Sequence, residues 1–303
     1  MKDFYDVVII GGGPAGMTAG IYSVRYGLSC LVIEKWLVGG IMNTTTEIKN
    51  FPSYIDVNGQ ELSQKMKEHY SSYNGEIVYA EVVNIDFENK LVSTKNKAIG
   101  YKALIIATGS TNRKLELEKE KELTGHGISY CAVCDGFFFK NKVVTVVGSG
   151  SGALEDAIYL ADLCKKVNVV SKHEKFAGQE ILINQLQQKK NVDYYMGYMP
   201  SKIIGDEVLE KVEIQSKQNK KTLKTDGMFV QIGHKPDNDL VKDKLELTPA
   251  GFIVSNEEMK TSQEGVFVAG DIRNKSLRQI VTACGDGATA ANSAFRYIQN
   301  MND

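Results

Sequence analysis

No stretch of this chain is apolar for long enough to cross a membrane as a helix, so a membrane protein is not expected. Charge of one sign is equally scarce. Its 36 Lys and Arg against 37 Asp and Glu leave a formal net charge of -1, which gives no whole-molecule attraction to nucleic acid or acidic lipid. Cysteine is sparse at five, and only Cys131 and Cys134 stand close together, which excludes the disulfide framework of a small secreted domain. The opening residues Met1-Lys2-Asp3-Phe4-Tyr5-Asp6 run straight into a strand and leave no room for a signal peptide. The expectation from these absences is a cytoplasmic protein in a reducing compartment.

At 303 residues the chain exceeds what one compact core usually supports, so two domains are expected. Cys131-Ala132-Val133-Cys134-Asp135-Gly136 is its most informative stretch. Two cysteines separated by two residues can close a small disulfide and reopen it, one thiol acting as attacking or leaving thiolate. The same spacing also builds half a zinc site. Cys30, Cys164 and Cys284 stand alone and offer no second pair, so no metal site is expected.

Two glycine-rich signatures flank that pair. Val7-Val8-Ile9-Ile10 reads as a strand buried on both faces, followed by Gly11-Gly12-Gly13-Pro14-Ala15-Gly16, a helix from Met17 to Tyr26, and a strand from Cys30 to Ile33. Gly11 suits the tight turn, Gly13 lets backbone approach a pyrophosphate, and Gly16 allows close helix–strand packing. The helix N-terminus favours phosphate, and Glu34 at the strand end can accept hydrogen bonds from a ribose. Ala107-Thr108-Gly109 and Gly270-Asp271 are expected to close over the same ligand. The pattern restarts with the strand Val143–Val147, the turn Gly148-Ser149-Gly150-Ser151-Gly152-Ala153 and a helix from Leu154 to Leu163.

The strand at Gly265–Ala269 and the helical tail from Ala283 return to the style of the first unit. The predicted fold class is therefore α/β, with two Rossmann-like, three-layer nucleotide-binding domains, one inserted into the other. Polar stretches at 113–121 and 237–244 read as the connections, giving a discontinuous domain of 1–113 with 245–303 around an inserted 114–244. Lys217–Lys221 reads as the turn of a surface hairpin.

With these residues in view, the chain resembles the low-molecular-weight flavin thioredoxin reductases over essentially its whole length. The likeness rests on Gly11–Gly16, Gly39-Gly40, Thr44-Thr45-Thr46-Glu47, Ala107-Thr108-Gly109, Cys131–Gly136, Gly233-His234-Lys235-Pro236, Gly270-Asp271 and Arg278-Gln279. The resemblance implies FAD on the split domain, a homodimer, and thioredoxin as the partner reduced. It implies FAD contacts from Gly13, Pro14, Ala15, Glu34, Lys35, Gly40, Asn50, Asp271, Arg278 and Gln279. It further implies Cys134 as the thiol beside the flavin, Cys131 as the thiol exchanging with thioredoxin, and Asp135 as the proton shuttle. Taken by itself, Asp135 reads equally well as a solvated turn residue.

Two departures qualify the likeness. NADPH-using members follow the strand after the second glycine loop with a His-Arg-Arg cluster and a further arginine, which grip the 2′-phosphate. Here Ser171-Lys172-His173-Glu174-Lys175-Phe176-Ala177 carries no arginine, and Glu174 adds negative charge. Arginine forks hold phosphate bidentately while lysine offers a point charge. The second departure is Ile41, which stands near the flavin where the family usually has glutamine. The chain is thus most like the ferredoxin-dependent subgroup, with reduced ferredoxin the expected donor. An NADH- or NADPH-fed reductase is the second reading, and an oxidase of small dithiols the third.

Overall fold

The computed structural model describes residues 2–45 and 48–301. Thr46 and Glu47, the second half of one family motif, lie outside the described residues. The chain divides into two compact units, Met1–Thr111 with Lys235–Asp303, and Asn112–His234.

The first unit begins with β1 (Phe4–Ile10), α1 (Pro14–Arg25), β2 (Cys30–Glu34), α2 (Gly59–Ser72) and β3 (Glu76–Tyr79). The hairpin β4 (Val82–Asp86) and β5 (Leu91–Thr94) follows, then β6 (Ala98–Ile106) and β7 (Ser110–Asn112). The apolar run of β1 feeds two cores because alternate side chains point to opposite faces. Val7 and Ile9 pack with Ala15, Ala103 and Ile105, while Val8 and Ile10 pack with Leu104, Ile106 and Ile253. Each such side chain stabilises the fold by about 1.5–3 kcal/mol. Helix α1 starts three residues before the predicted Met17. Gly13 is extended at the N-cap and Pro14 takes the first helical position, where its fixed φ fits and its missing N–H costs nothing.

The second unit carries α3 (Glu120–Leu123), β8 (Ile128–Ser129), α4 (Ala132–Asp135), β9 (Val143–Val147), α5 (Ser151–Leu163) and β10 (Lys166–Ser171). It continues through α6 (Glu180–Gln187), β11 (Val192–Met196), β12 (Met199–Ile204), β13 (Lys211–Gln215), β14 (Lys220–Lys224), β15 (Gly227–Val230) and β16 (His234–Pro236). Strands β11-β10-β9-β15-β8 form a parallel sheet in that order. Its Val144, Val146, Val167 and Val169 face Leu154, Ala157 and Leu160 of α5. Val147, Val170 and Met228 face the antiparallel sheet β12-β13-β14 through Ile203, Val212 and Ile214. The hairpin predicted at Lys217–Lys221 is the β13–β14 turn, closed by Ser216 N–H donating to the Asn219 carbonyl at 2.8 Å.

The chain then returns to the first unit with β17 (Val266–Val268) and α7 (Ile280–Asn300). Strands β3-β2-β1-β6 run parallel, β17 pairs β6 in parallel, and β5-β4 continue antiparallel. The crossings between units fall at 111/112 and 234/235, where β7 and β16 pair. The return thus comes ten residues before the 244/245 boundary read from charge. The polar segment 237–244 is anchored in the first unit, because Val241 is buried among Ile10, Val92 and Ile253 there. Among the described residues no helix is long and apolar enough to cross a membrane.

Candidate active site

In the first unit the glycine turn is built for close approach. Gly11 has φ +104°, and a Cβ there would lie 2.3 Å from the Ala107 carbonyl oxygen. Ala107 N–H donates to the Ile10 carbonyl at 2.8 Å, so the two strand ends are tied together at this point. A Cβ on Gly16 would lie 1.8 Å from Gly11 O, the tight packing predicted for the last glycine. Around Gly13 and Gly109, by contrast, an added Cβ would meet nothing within 4 Å, and Gly40 faces Gly13 Cα. The N-terminus of α1, with Pro14 and Ala15 in its first turn, opens into this space. Glu34 is buried at the end of β2, its carboxylate accepting N–H from Gly12 at 2.6 Å and from Trp36 at 2.8 Å.

Other predicted contacts fall on the same unit. Lys35 pairs with Glu81 at 2.6 Å, and Ile41 is exposed in a short 3-10 turn. Asn50 Nδ2 donates to Gln279 Oε1 at 2.9 Å, and Gln279 caps α7. Thr108 Oγ1 donates to the Asp237 carbonyl at 2.8 Å. Gly270 N–H donates to Asp286 Oδ2 at 3.1 Å, and Asp271 lies 3.7 Å from Lys275. Arg278 stacks its guanidinium 4.0 Å over Phe252, and its Nε is buried without a hydrogen-bond partner. An open glycine cradle, a free helix N-terminus and a buried cationic donor lacking an acceptor fit an anionic dinucleotide.

In the second unit Cys131 and Cys134 are joined in a disulfide, with Cα atoms 5.4 Å apart. Cys131 is half-buried at the N-cap of α4, its Sγ accepting the Cys134 N–H at 3.1 Å, while Cys134 is exposed. Asp135 is hydrogen-bonded rather than bare: Ser129 Oγ donates to its Oδ2 at 2.6 Å. Ser129 also accepts the Cys131 N–H at 3.0 Å, so one buried hydroxyl links the cysteine backbone to the carboxylate. Ser129, Gln231 and Asp156, all in contact with the dithiol turn or its support, were not foreseen. Ser129 is two residues from Cys131, but Asp156 and Gln231 reach it only through the fold.

The second glycine loop keeps its shape. Gly148 has φ +148°, and a Cβ there would lie 2.2 Å from Gln231 O, while Gly150 is open at the N-cap of α5. The segment after β10 folds back on that loop. Ala177 N–H donates to Ser149 O at 2.9 Å, Gln179 N–H to Ser151 Oγ at 3.1 Å, and Gly178 packs on Ser151 N. His173 is held by its backbone, and the Glu174 carboxylate lies against Gly197.

Comparison with known proteins agrees with this arrangement. The profile of the pyridine nucleotide-disulphide oxidoreductases matches residues 5–287. The chain is 40% identical over 310 positions to the thioredoxin reductase of Bacillus subtilis, covering all of this chain and 97% of the other. The thioredoxin reductase structure of Lactococcus lactis superposes with a TM-score of 0.94 at 37% identity, covering 98% and 99% of the two chains. A ferredoxin-flavin thioredoxin reductase of Clostridium acetobutylicum is more distant, at 0.54 and 29%, covering 98% and 99%. The chain belongs to the pyridine nucleotide-disulphide oxidoreductase family. Within that family it is an FAD-dependent disulfide oxidoreductase of the thioredoxin reductase kind.

Proposed function

We propose that the first unit holds FAD and that the second presents Cys131 and Cys134 to thioredoxin. The observation that carries this reading is the redox turn itself, a closed Cys131–Cys134 disulfide beside a carboxylate fixed by Ser129. FAD, when bound, supplies the two electrons that open the disulfide. Gly13, Gly40, Pro14 and Ala15 would take its pyrophosphate side, Glu34 the ribose, and Asp271, Arg278 and Gln279 the flavin end.

The chain's own steps are thiol–disulfide exchange. The Cys131 thiolate attacks one sulfur of the thioredoxin disulfide, and the departing thioredoxin thiolate takes a proton delivered through Asp135. The Cys134 thiolate then attacks Cys131 Sγ, releasing the second thioredoxin sulfur as thiolate, which is protonated in turn. Two electrons leave the dithiol, thioredoxin gains two thiols, and the Cys131–Cys134 bond is restored. Cys134 is assigned the flavin-facing role.

The proposed donor is reduced ferredoxin, in a cytoplasmic homodimer. It rests on the arginine-free segment 171–177 and on the carboxylate of Glu174 within it. A nicotinamide donor is the second reading, favoured by the intact Gly148–Ala153 turn and by the greater similarity to the Bacillus and Lactococcus enzymes than to the ferredoxin-flavin enzyme. Anaerobic mixing of the oxidised holoenzyme with reduced ferredoxin, NADH or NADPH, followed by flavin absorbance, separates them. Rapid bleaching by micromolar NADPH overturns the ferredoxin proposal and leaves the thioredoxin chemistry intact.

A further inference from the structure

Asp156 occupies an unusual place in α5. Residues 156, 159, 160 and 163 share one stripe of that helix, and the redox turn lies along it. A Cβ added to Gly136 would meet Tyr159 at 3.0 Å, Leu160 at 3.1 Å and Leu163 at 3.7 Å. At the head of this otherwise apolar stripe the Asp156 carboxyl lies toward the backbone N–H of Ala132, the residue after Cys131, whose dipole favours the ionised form. Gln231 Nε2 donates to Asp156 Oδ2 at 2.6 Å and also to the Tyr130 carbonyl, the residue before Cys131, at 3.3 Å. The carboxyl–amide pair therefore holds the chain at the residue before the attacking cysteine and sets a carboxyl beside the residue after it.

We infer that Asp156 is a positioning residue for the dithiol: it fixes the backbone at Cys131, and its charge is felt by the thiols. As an ionised carboxylate it accepts the Gln231 Nε2–H and attracts the dipole of the Ala132 N–H. When protonated it gives up acceptor capacity, and one tie weakens. Burial of the carboxyl, although the residue keeps some exposure, pushes its pKa up to about 7. The Gln231 hydrogen bond opposes this, the Glu155 charge adds to it, and the Ala132 N–H opposes it again.

The remaining charged groups around it are otherwise engaged. In the redox turn, the Asp135 carboxylate is held by Ser129, and Glu120 accepts the Tyr130 hydroxyl at 2.7 Å. After α4, Lys140 and Lys142 lie over the Phe137 and Phe139 rings. On the far side of α5, Asp162 pairs with Lys189 at 2.6 Å. Strands β9 and β10 present valines to the helix, and α6 presents Leu182, Ile183 and Leu186.

The test uses neither ferredoxin nor nicotinamide, and so stands apart from the choice between them. The holoenzyme is reduced with a phosphine, and alkylation of Cys131 by iodoacetamide is followed from pH 5 to 10. The wild type should show an inflection near 7 besides that of the thiol. Asp156→Asn should lose that inflection, and Ala132 amide exchange should quicken by about ten- to a hundredfold. Asp156→Glu should restore the inflection, and Asp135→Asn should leave it in place. Should Asp156→Asn fail to fold, Gln231→Leu decides: losing a bond that favours the ionised form must move the inflection upward by roughly a pH unit. An inflection that persists in Asp156→Asn, or that stays put or falls in Gln231→Leu, overturns the inference.

Discussion

Burial pushes the Cys30 thiol up to about 12 and the Cys164 thiol up to about 11, so neither is a thiolate near neutral pH. Cys131, half-buried, and Cys134, exposed, lie on a short turn instead, beside a carboxylate held by Ser129. Alkylation of the reduced protein at pH 7.5 should label the Cys131–Cys134 pair and spare Cys30 and Cys164, as read by peptide mass mapping. Substituting Cys131→Ser or Cys134→Ser should reduce thioredoxin reduction to background while the protein keeps its FAD. The glycine cradle lies wholly in the other unit, so flavin content measured after gel filtration should match the wild type. Loss of FAD from either variant would assign the dithiol a structural role.

Among the elements, the proposal for the reductant turns on the second glycine loop and the segment folded onto it. That segment is tied by backbone N–H groups of Ala177 and Gln179, which survive side-chain exchange. Lys172→Arg, His173→Arg and Ala177→Arg together should therefore leave the loop in place and supply guanidinium forks. NADPH affinity should rise by about a hundredfold or more, at roughly 1.5–3 kcal/mol for each new charge-assisted bond, with NADH affinity unchanged. Equal gains for both nucleotides in fluorescence titration would place the arginines away from the 2′-phosphate. The elements that carry this chemistry were plain in the sequence wherever an apolar run met a glycine turn, as at Val7–Gly16 and Val143–Ala153. Their starts were less so. α1 begins at Pro14 and α7 at Ile280 because Gly13 and Gln279 cap them, and hydrophobic spacing does not register a cap. Within the candidate site, Cys131 and Cys134 were legible as a closely spaced pair, while Asp135 by itself read equally well as a solvated turn residue. Asp156 and Gln231 were not legible, since 24 or more residues separate them from Ala132 and only the fold brings α5 and the end of β15 to the turn.

At the scale of the whole molecule, several acidic groups keep their protons because they are buried. Tyr5 is pushed up to about 12, first by burial and then by its hydrogen bond to Glu76, and Cys30 to about 12 by burial. Tyr70, Tyr101 and Tyr130 are raised by burial as well. A raised folded-state pKa means that the unfolded chain loses its proton first. The stabilisation is thus complete below about 9, where thiol and phenol are protonated in both states, and is lost as pH climbs towards 12. Thermal melting between pH 8 and 12 should show a steady fall in Tm. A flat profile up to pH 11 would mean that these groups ionise in place.

The nesting of the two units also sets an order of assembly during synthesis. Strand β17 and helix α7 are made only after the second unit, yet β17 pairs with β6 inside the first unit's sheet, and Ala290 and Ala294 of α7 pack in the same core as Val7. The earlier-made part of the first unit therefore waits, with one side of β6 and one face of α1 uncovered, until β17 and α7 arrive. The second unit is one continuous segment and is complete once His234 has cleared the exit tunnel. Nascent chains stalled just beyond that point should already protect Val143–Val147 from protease while leaving Phe4–Ile10 open to it. The later-starting half is thus expected to fold first.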